Sequence, residues 1–485
     1  MSLRTVVAAL ALLPIALPAQ RYTRVSAAAI THVTVVDVET GRLLPDHTVL
    51  IRGNRIMRVS PSQTTTLPGR PLVIDGRGKF LIPGLWDAHA HTLWPAGRDS
   101  LPYRRLLVAM GITATREPGS RVPLEAIHDF RRRIARGELL APRIAVASGP
   151  LLEGAGVAVR NETFQRTVDS PERARHLVDS LKRAGADFVK LHAGLTREAA
   201  RWVTDAARAA GLAAGGHLVP GGPDATLGGG IRLIDHTFPV GWCVQEEWRA
   251  QQAGRAPAIG AGRVLANQRT FAEAVAHEDR ARCDAVRRQL ADSGVAIVPT
   301  MVQALTWRAL SNRGAALADR LRYVMPTDRW RWENDNAFGT VTPEQVALAE
   351  RNLEDRMRHA YEAHRSGVRI LAGTDAVPFP YTVPGFSLHD ELALLERAGL
   401  SSLDALRAAT IVPATVFGMR DSLGTVAPGK LADLVLLRAN PLESIALVAR
   451  IEAVFADGRF LDRRALDRLL FEQRRLAAGP PQQPE

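Results

Sequence analysis

Short apolar runs alternate with arginine-containing helical segments through the middle of the chain. The segments between the runs begin or end with Pro, Thr or Gly, as helices do. Eight successive β-then-α units predict an α/β fold, a (β/α)8 TIM-like barrel over residues 81–421. Its fifth helix is expected to be short, because residues 220–230 are rich in glycine. The eight runs have the length and the small or β-branched residues of buried strands, and lie at 81–88, 111–116, 142–148, 187–192, 212–217, 231–236, 295–300 and 369–375.

Both ends of the chain differ from the middle in their pattern of residues. Residues 28–59 alternate β-branched runs with turn residues, and a similar pattern returns at 424–442 and 451–461. Such alternation predicts strands joined by short turns. We therefore expect residues 20–80 and 422–485 to form one small β-sandwich domain, assembled from both ends of the chain.

The N-terminus has the order of a secretory signal. Arg4 precedes an apolar run from Val6 to Ala19, and the small residue Ala19 stands before Gln20. This order predicts a signal peptide over residues 1–19 and an exported protein, periplasmic or secreted. A membrane anchor is the alternative, but the run is broken by prolines and is short for a span. No stable membrane span is expected in the rest of the chain.

The chain has two cysteines, Cys243 and Cys283. They could pair in an oxidising compartment, but two cysteines do not define a disulfide framework. Two free, partly buried thiols are the alternative. The sequence leaves this choice open.

The net charge of +12 comes almost entirely from arginine, since Lys79, Lys182, Lys190 and Lys430 are the only lysines. The arginines are interleaved with acidic residues, as in RRRIARGELL at 131–140. A nucleic-acid-binding protein more often carries a clustered basic stripe with supporting aromatic residues or motifs. We therefore interpret the charge as compositional bias and expect no nucleic-acid partner.

Two connections are long enough to reach over the face where parallel barrel strands end. Residues 237–294 follow the sixth predicted strand, and residues 301–367 follow the seventh. Long loops at a barrel mouth usually form lids or substrate walls. Two sets of residues in the second loop are each open to two interpretations. The tryptophans either line a pocket or only pack the loop against the protein; they are Trp307, Trp330 and Trp332. The arginines either bind a substrate carboxylate or lie in solvent; they are Arg308, Arg329 and Arg331.

Residues with metal-binding or acid–base chemistry close several of the predicted strands. Parallel strands of a barrel deliver their C-terminal ends to one face, where a shared site can form. His89 and His91, two positions apart, project to the same side and can bind one ion together. His217 or His236 alone would more often be a satisfied core histidine, but each ends the next strand in order. The candidate metal ligands are His89, His91, Lys190, His217, His236 and Asp375.

Asp375 and Lys190 stand at strand ends that are predicted to be buried, where an uncompensated charge is costly. Asp375 therefore needs either a metal ion or an arginine partner. Lys190 is a lysine in an arginine-rich chain, and lysine can be deprotonated where arginine cannot. A neutral amine can react with CO2 to give a carbamate, an anionic ligand suited to two cations. The alternative for Lys190 is a structural ion pair.

Several segments resemble the amidohydrolase superfamily, close to its imidazolonepropionase-like and prolidase-like members. The resemblance covers nearly all of the chain after the leader. The chain departs from the family pattern at one position: Asp235 precedes His236 where many relatives have Glu. The pocket above the ligands is therefore expected to differ from the pocket of those relatives. The segments that carry the resemblance are IPGLWDAHAHT, GADFVKLHAGLT, GLAAGGHL, LIDHTF, LAGTDA and LDALRAATIVPATVFGMRDSLGTVAPGKLADLVLLRANPL.

The resemblance implies a binuclear metal centre of Zn2+, with a carbamate as the bridging protein ligand. It also implies that the metal ligand Asp375 is the catalytic acid–base group. The ligands implied for the more buried ion are His89, His91 and Asp375, those for the second ion are His217 and His236, and the carbamate is on Lys190.

Together these features predict an exported, metal-dependent hydrolase that cleaves a C–N bond in a dipeptide or an N-acylated amino acid. A metal-bound hydroxide would attack the carbonyl, and Asp375 would pass the proton of the water to the leaving nitrogen. Two alternatives stay open: a phosphotriesterase- or lactonase-type hydrolase on the same site, and a non-catalytic exported protein that keeps a metal.

The expected partner is a small-molecule substrate, and the oligomeric state, a homo-oligomer included, is left open by the sequence. Further polar residues near the predicted strand ends could face the pocket. Each is as often a loop or capping residue as a substrate contact. They are Arg160, Asn161, His192 and His389.

Overall fold

The structure is a computed structural model of the 485-residue chain. The predicted signal peptide at 1–19, most of the glycine-rich segment at 220–230, Arg160 and Asn161 lie outside the described residues. The described ranges are 24–93, 101–157, 164–192, 194–217, 230–247, 263–312, 314–334 and 341–479.

Strands occupy both ends of the described chain and alternate with helices in its middle. The strands are β1 (Ala27–Val36), β2 (Leu43–Arg52), β3 (Arg55–Pro61), β4 (Leu72–Asp75), β5 (Phe80–Pro83), β6 (Leu85–Asp87), β7 (Ile112–Glu117), β8 (Arg143–Ala147), β9 (Leu151–Gly154), β10 (Gln165–Val168), β11 (Phe188–Leu191), β12 (Ala213–Gly216), β13 (Ile231–Asp235), β14 (Ala296–Val298), β15 (Arg369–Ile370), β16 (Leu434–Leu437), β17 (Ile451–Ala456) and β18 (Arg459–Leu461).

The α-helices of the same residues lie mostly between the barrel strands. They are Arg104–Ala109, Leu124–Arg136, Pro171–Arg183, Arg197–Ala209, Arg263–Ala276, Arg280–Asp292, Leu305–Ser311, Ala318–Leu321, Pro326–Asn334, Pro343–Arg365, Phe386–Arg397, Ser402–Ala408, Ile411–Val416 and Arg463–Ala477. Within the ranges that the structure describes, no helix combines the length and the apolar character needed to cross a membrane.

The two ends of the chain meet in one sheet. Among the described residues it has eight strands, in the order β18-β17-β16-β5-β1-β2-β3 with β4 paired to β1. The junction is the antiparallel pair of β16 and β5, where Leu434 lies opposite Pro83 and Leu437 opposite Phe80. The structure therefore has a β domain built from both chain ends. Where a sandwich was expected, hydrogen bonds join all eight strands into a single sheet.

Parallel strands form the middle of the chain. Within the described ranges, one sheet has the order β6-β7-β8 and another the order β10-β9-β11-β12-β13-β14-β15. Each of the eight predicted barrel strands has a counterpart, from β6 to β8 and from β11 to β15. The short strands β9 and β10 were not predicted. Helical connections between parallel neighbours place the C-terminal ends of the strands on one side.

Backbone hydrogen bonds also cross between these two sheets. The Ala88 amide donates to the carbonyl oxygen of Ala372 at 2.9 Å, so the end of β6 lies beside the segment after β15. The Asp187 amide donates to the carbonyl oxygen of Ala147 at 2.9 Å, so β8 lies beside the start of β11. The two sheets are thus neighbours at two places.

The predicted strand 81–88 divides at Gly84. β5, before the glycine, pairs in the outer sheet, whereas β6, after it, pairs with β7. A Cβ at Gly84 would lie 2.1 Å from Oγ1 of Thr113, a distance that no side chain can adopt. Glycine therefore allows the chain to pass between the two sheets. His89 and His91 come directly after this crossing.

The predicted helices are confirmed in segments where apolar residues alternate with arginines after a capping residue. In the helix Arg197–Ala209, Val203 and Ala207 are buried on one face. The side chain of Thr196 accepts the amide of Ala199 at 3.1 Å and so caps the first turn, a contact of about 1 kcal/mol. These helices pack their apolar faces on the parallel strands.

A disulfide joins Cys243 to Cys283, with their Cα atoms 4.8 Å apart. It links the segment after β13 to the helix Arg280–Asp292, and both cysteines are buried. Of the two alternatives that the sequence leaves open, the structure has the paired one.

The tryptophans of the second long loop mostly pack it down. Trp307 and Trp332 are buried, whereas Trp330 is 43% exposed. Nε1 of Trp332 donates to the carbonyl oxygen of Val377 at 3.0 Å, which ties this loop to the segment after β15. The packing interpretation therefore holds for the two buried tryptophans.

The arginines considered as a carboxylate clamp each have a protein partner. The partners are Glu350 for Arg308, the carbonyl oxygen of Ala477 for Arg329, and Asp328 for Arg331. Arg308 is the most exposed of the three, with 70% of its side chain accessible.

Candidate metal centre

The six predicted ligands meet at the C-terminal ends of the parallel strands. Backbone strain accompanies two of them, because His236 and Asp375 have φ angles of 80° and 58°. Such conformations are uncommon outside glycine and cluster at functional sites. His89 and His91 follow β6, Lys190 lies in β11, His217 follows β12, His236 follows β13 and Asp375 comes after β15.

His89, His91 and Asp375 form one half of the cluster. Oδ1 of Asp375 lies 3.4 Å from Nε2 of His89 and 3.1 Å from Nε2 of His91. The other nitrogen of each ring faces a protein acceptor: Nδ1 of His91 is 2.9 Å from the carbonyl oxygen of Gly119, and Nδ1 of His89 is 3.1 Å from Oδ1 of Asp235. For His91, this hydrogen bond leaves the lone pair of Nε2 available to a metal. Nδ1 of His89 lies near the Asp235 carboxylate without a hydrogen bond to it.

His217 and His236 form the other half. Their ring centroids are 4.4 Å apart, and the ring of His236 is 4.7 Å from that of His89. Nδ1 of His236 lies 3.0 Å from Oγ1 of Thr300. Nδ1 of His217 is buried and has no hydrogen-bond partner among the described residues. A buried polar atom of this kind is costly unless an ion or water satisfies it, so the donor set fits a metal.

The protonation states of His217 and His236 suit metal binding. Burial holds the pKa of His217 and His236 well below its usual range. Both rings are therefore neutral near pH 7, the form in which histidine binds metals. One ligand atom from each of His89, His236 and Asp375 lies within 4.8 Å of the others, so a single ion can contact all three.

Lys190 lies in a buried group of charges around Asp235. Its Nζ pairs with Oδ2 of Asp235, and Nη1 of Arg116 lies 2.9 Å from Oδ1 of the same carboxylate. Burial lowers the pKa of Lys190 despite this pairing. In the structure Lys190 thus has the ion-pair arrangement that the sequence left open as the alternative to a carbamate. Its charge adds to the effect of burial in holding the pKa of His217 and His236 below the usual range.

Arg116 and Asp235 were not predicted to support the site. Arg116 is fully buried, and its guanidinium also donates to the carbonyl oxygen of Ala88 at 3.0 Å and lies 4.6 Å from the centroid of the Phe188 ring. Removing one partner of such a pair costs about 3–5 kcal/mol, because the other charge is left uncompensated. The sequence signal was a charged residue at the end of an apolar strand, which requires a buried partner.

Gln303 is a second site residue that sequence reasoning missed. Its Nε2 donates to Oδ2 of Asp375 at 2.5 Å and lies 3.4 Å from Nδ1 of His236. The residue lies in the 3-10 turn Met301–Ala304, directly after β14. Nothing in the sequence around it distinguishes this glutamine from an ordinary loop residue.

Buried carboxylates hold the strand ends that carry the ligands. Glu117 accepts the amide of Thr92 at 3.0 Å, and burial raises its pKa to about 8. Asp87 accepts the amides of His89 at 3.2 Å and Thr374 at 3.1 Å, and burial raises its pKa to about 6. These hydrogen bonds join the segment after β6 to the last residue of β7 and to the segment after β15.

The two other histidines considered for the pocket differ in their placement. The ring of His192 borders the cluster, with its centroid 4.3 Å from that of His217. Its Nδ1 contacts Oε1 of the buried Glu153. Nε2 of His389 instead lies 2.9 Å from the carbonyl oxygen of Met110, so this histidine has a structural partner.

Comparison with known proteins places most of the chain in one family. Residues 80–461 match the Amidohydrolase family. The fold is similar to that of a bottromycin amidohydrolase, with a TM-score of 0.73 and 26% identity over 97% of this chain and 96% of that chain. It is also similar to a putative prolidase from Bifidobacterium longum, with a TM-score of 0.63 and 26% identity over 93% of this chain and 99% of that one.

Among curated proteins, adenine deaminase 3 of Rhizobium meliloti (strain 1021) is 21% identical over 429 residues. The alignment covers 86% of this chain and 56% of that relative. The chain therefore spans little more than half the length of this curated protein.

Proposed function

The chain belongs to the amidohydrolase family, and we propose that it is an exported, metal-dependent hydrolase that cleaves the C–N bond of a dipeptide or an N-acylated amino acid. One observation carries the proposal: Nε2 of His89, Nε2 of His91 and Oδ1 of Asp375 converge in a buried site. Neutral imidazoles of His217 and His236 border the same site. This donor set suits a hydrolytic metal centre better than a structural ion pair.

The proposed metal is Zn2+, because imidazole nitrogens and a carboxylate oxygen are its usual ligands. Six candidate ligands exceed what one tetrahedral ion can use while keeping an open position, so we propose two ions. When bound, such ions supply a hydroxide nucleophile near neutral pH and polarise a carbonyl. The proposed ligands are His89, His91 and Asp375 for one ion, His217 and His236 for the other, and a carbamate on Lys190 for both.

Asp375 is the proposed acid–base group. Against the effect of burial, contacts with His89 and His91 hold the pKa of Asp375 well below its usual range, so the carboxylate is ionised and can accept a proton. Gln303 fixes its Oδ2, while Oδ1 faces the histidines. Asp375 takes a proton from the attacking water and gives it to the leaving nitrogen.

We also propose that the two parallel sheets close into one eight-stranded barrel. The hydrogen bonds between Ala88 and Ala372 and between Asp187 and Ala147 support this arrangement. In a closed barrel the six candidate ligands share one rim, which is where active sites of this architecture lie.

The proposed activity is tested by offering zinc-loaded protein a panel of dipeptides, N-acylated amino acids, phosphotriesters and lactones. We expect hydrolysis of at least one amide class, loss of that activity on chelation and recovery on adding Zn2+. Metal analysis of the same sample should approach two ions per chain. If the protein hydrolyses only phosphotriesters or lactones, it is the alternative phosphotriesterase- or lactonase-type hydrolase. A fully metal-loaded protein that hydrolyses nothing in the panel would be a non-catalytic metal binder.

Export is supported by the charge and apolar pattern of residues 1–19 and by the Cys243–Cys283 disulfide, since disulfides persist mainly in oxidising compartments. Intact-mass measurement of the protein expressed in a bacterial host should show the exported form without about its first 19 residues. A full-length species confined to the cytosol would contradict the proposal.

A further inference from the structure

A buried glutamate behind the metal centre has no part in the mechanism above. Glu391 lies in the helix Phe386–Arg397, which follows the segment that carries Asp375. The residue is completely buried, with 0% of its surface exposed. A carboxylate in such a place is costly unless hydrogen bonds compensate for the lost water. The groups that it binds therefore show what it does for the fold.

The carboxylate of Glu391 accepts two successive backbone amides. Its Oε1 accepts the amide of Met301 at 3.0 Å, and its Oε2 accepts the amide of Val302 at 2.7 Å. These amides begin the 3-10 turn Met301–Ala304, and the first amides of such a turn have no acceptor within it. Glu391 thus supplies, from another helix, the acceptors that this turn lacks.

The turn needs this support because it starts from an unfavourable backbone conformation. Thr300, directly before it, has a φ angle of 44°. A β-branched residue rarely adopts this left-handed conformation, and strain of this kind persists only where the surroundings enforce it. The two hydrogen bonds from Glu391 hold the residues that come immediately after Thr300. Without them, the segment after β14 can relax to another path.

The same turn presents two side chains to the proposed metal ligands. Nε2 of Gln303 donates to Oδ2 of Asp375, and Oγ1 of Thr300 lies 3.0 Å from Nδ1 of His236. Gln303 and Thr300 are both buried. The carboxamide of Gln303 meets the carboxylate of Asp375 only while the backbone of the turn stays in place. Glu391 therefore reaches Asp375 indirectly, through the turn and then through Gln303.

We propose that Glu391 is a positioning residue, which fixes the turn Met301–Ala304 so that Gln303 holds the carboxylate of Asp375 in its reactive orientation. The inference rests on the proposed hydrolysis and adds to it a residue far from the substrate. Small displacements at a reacting centre reduce the rate strongly, even when their cause lies outside it.

Kinetics of two Glu391 variants test the inference. Glu391→Leu removes both acceptors and keeps an apolar side chain in the buried site. We expect kcat for the best amide of the panel to fall at least about tenfold, with KM changed less than about twofold, because the substrate itself does not contact Glu391. Glu391→Gln keeps one acceptor oxygen and should have an intermediate kcat.

A second background tests whether the effect passes through Gln303. Gln303→Met keeps the length of the side chain and removes the donor to Asp375, so it should itself lower kcat. If Glu391 acts through Gln303, the two changes are not additive. Adding Glu391→Leu to Gln303→Met should then lower kcat by less than about threefold more.

Glu396, on the same helix, gives a matched control. It accepts the amide of Ile445 at 3.0 Å, at the start of the 3-10 turn Ile445–Ala449. This turn lies between β16 and β17, away from the strand ends that carry the ligands. Glu396→Leu therefore removes the same kind of support from another turn and should keep the wild-type kcat. Zinc content and thermal unfolding of each variant are measured in parallel.

Hydrogen–deuterium exchange of the metal-free protein gives a readout independent of turnover. In Glu391→Leu, the amides of residues 301–302 lose their acceptors and should exchange at least about tenfold faster. In Glu396→Leu, faster exchange should appear around Ile445 instead. Mass spectrometry of peptides from the two regions separates these effects.

The outcomes separate the inference from the proposed function. A folded Glu391→Leu protein with the wild-type kcat, or with unchanged exchange at 301–302, overturns the inference. A loss of kcat that is equally large in the Gln303→Met background, or that follows a loss of zinc, overturns it as well. If Glu391→Leu does not fold, Glu391→Gln decides by the same comparisons. Hydrolysis of no amide by the wild-type protein overturns the proposed function, and the inference with it.

Discussion

Asp375→Asn is expected to lower kcat at least about 100-fold, because removing a group that both accepts and delivers a proton typically costs 10²–10⁴ in rate. Asparagine keeps the size of the side chain and one oxygen toward His89 and His91, but it cannot take up the proton. The hydrogen bond from Gln303 to the second oxygen shows that this carboxylate is held in one orientation. The effect should therefore fall on turnover more than on substrate binding.

The measurement is kcat and KM for the best amide, together with zinc content and thermal unfolding. Asp404→Asn is a matched control, because Asp404 pairs with Arg407 on an outer helix away from the strand ends. It should keep the wild-type kcat. Near-normal turnover in Asp375→Asn with full zinc content would remove Asp375 from the mechanism.

Lys190→Ala is expected to lose bound metal and to lower activity at least about 100-fold, since it removes the proposed bridging ligand. Small carboxylates such as formate or acetate should restore part of both, by standing in for the carbamate. Lys190→Arg should not restore them, because a guanidinium stays protonated. Lys182→Ala, on the exposed side of the helix Pro171–Arg183, is the control and should be unaffected.

The ion pair between Lys190 and Asp235 also has a consequence for the uptake of metal by the protein. The proposed carbamate forms only from the free amine, so Lys190 would have to leave this pair before it could react. Metal uptake by metal-free protein should therefore be faster with added bicarbonate. If Lys190→Arg has normal metal content and activity, the carbamate is wrong and the ion pair is the functional state.

The strand ends could be predicted because their signal is local. Each of His89, Lys190 and His236 ends or follows a short apolar run, and the parallel arrangement brings such ends together whatever the loops do. The family resemblance rests on the same segments and is confirmed by the match over residues 80–461.

The support of the site could not be predicted, because it depends on pairs distant in sequence. Arg116 and Asp235 are 119 residues apart, and Gln303 is 72 residues from Asp375. No periodicity links such positions, and each residue alone looks like an ordinary charged or polar side chain. The same holds for the division of the first predicted strand at Gly84, which depends on Thr113 in the neighbouring strand.

The pairing of β5 with β16 sets an order of events during synthesis. β5 directly precedes the segment that carries His89 and His91, yet its neighbour Leu434–Leu437 is made some 350 residues later. A chain still growing on the ribosome can pair β5 with β1 on one side, but the other side of β5 stays an open sheet edge, a feature that invites association with other chains. The segment that carries the first two metal ligands therefore gains its support from β16 only when the strand Leu434–Leu437 has been made, near the end of synthesis.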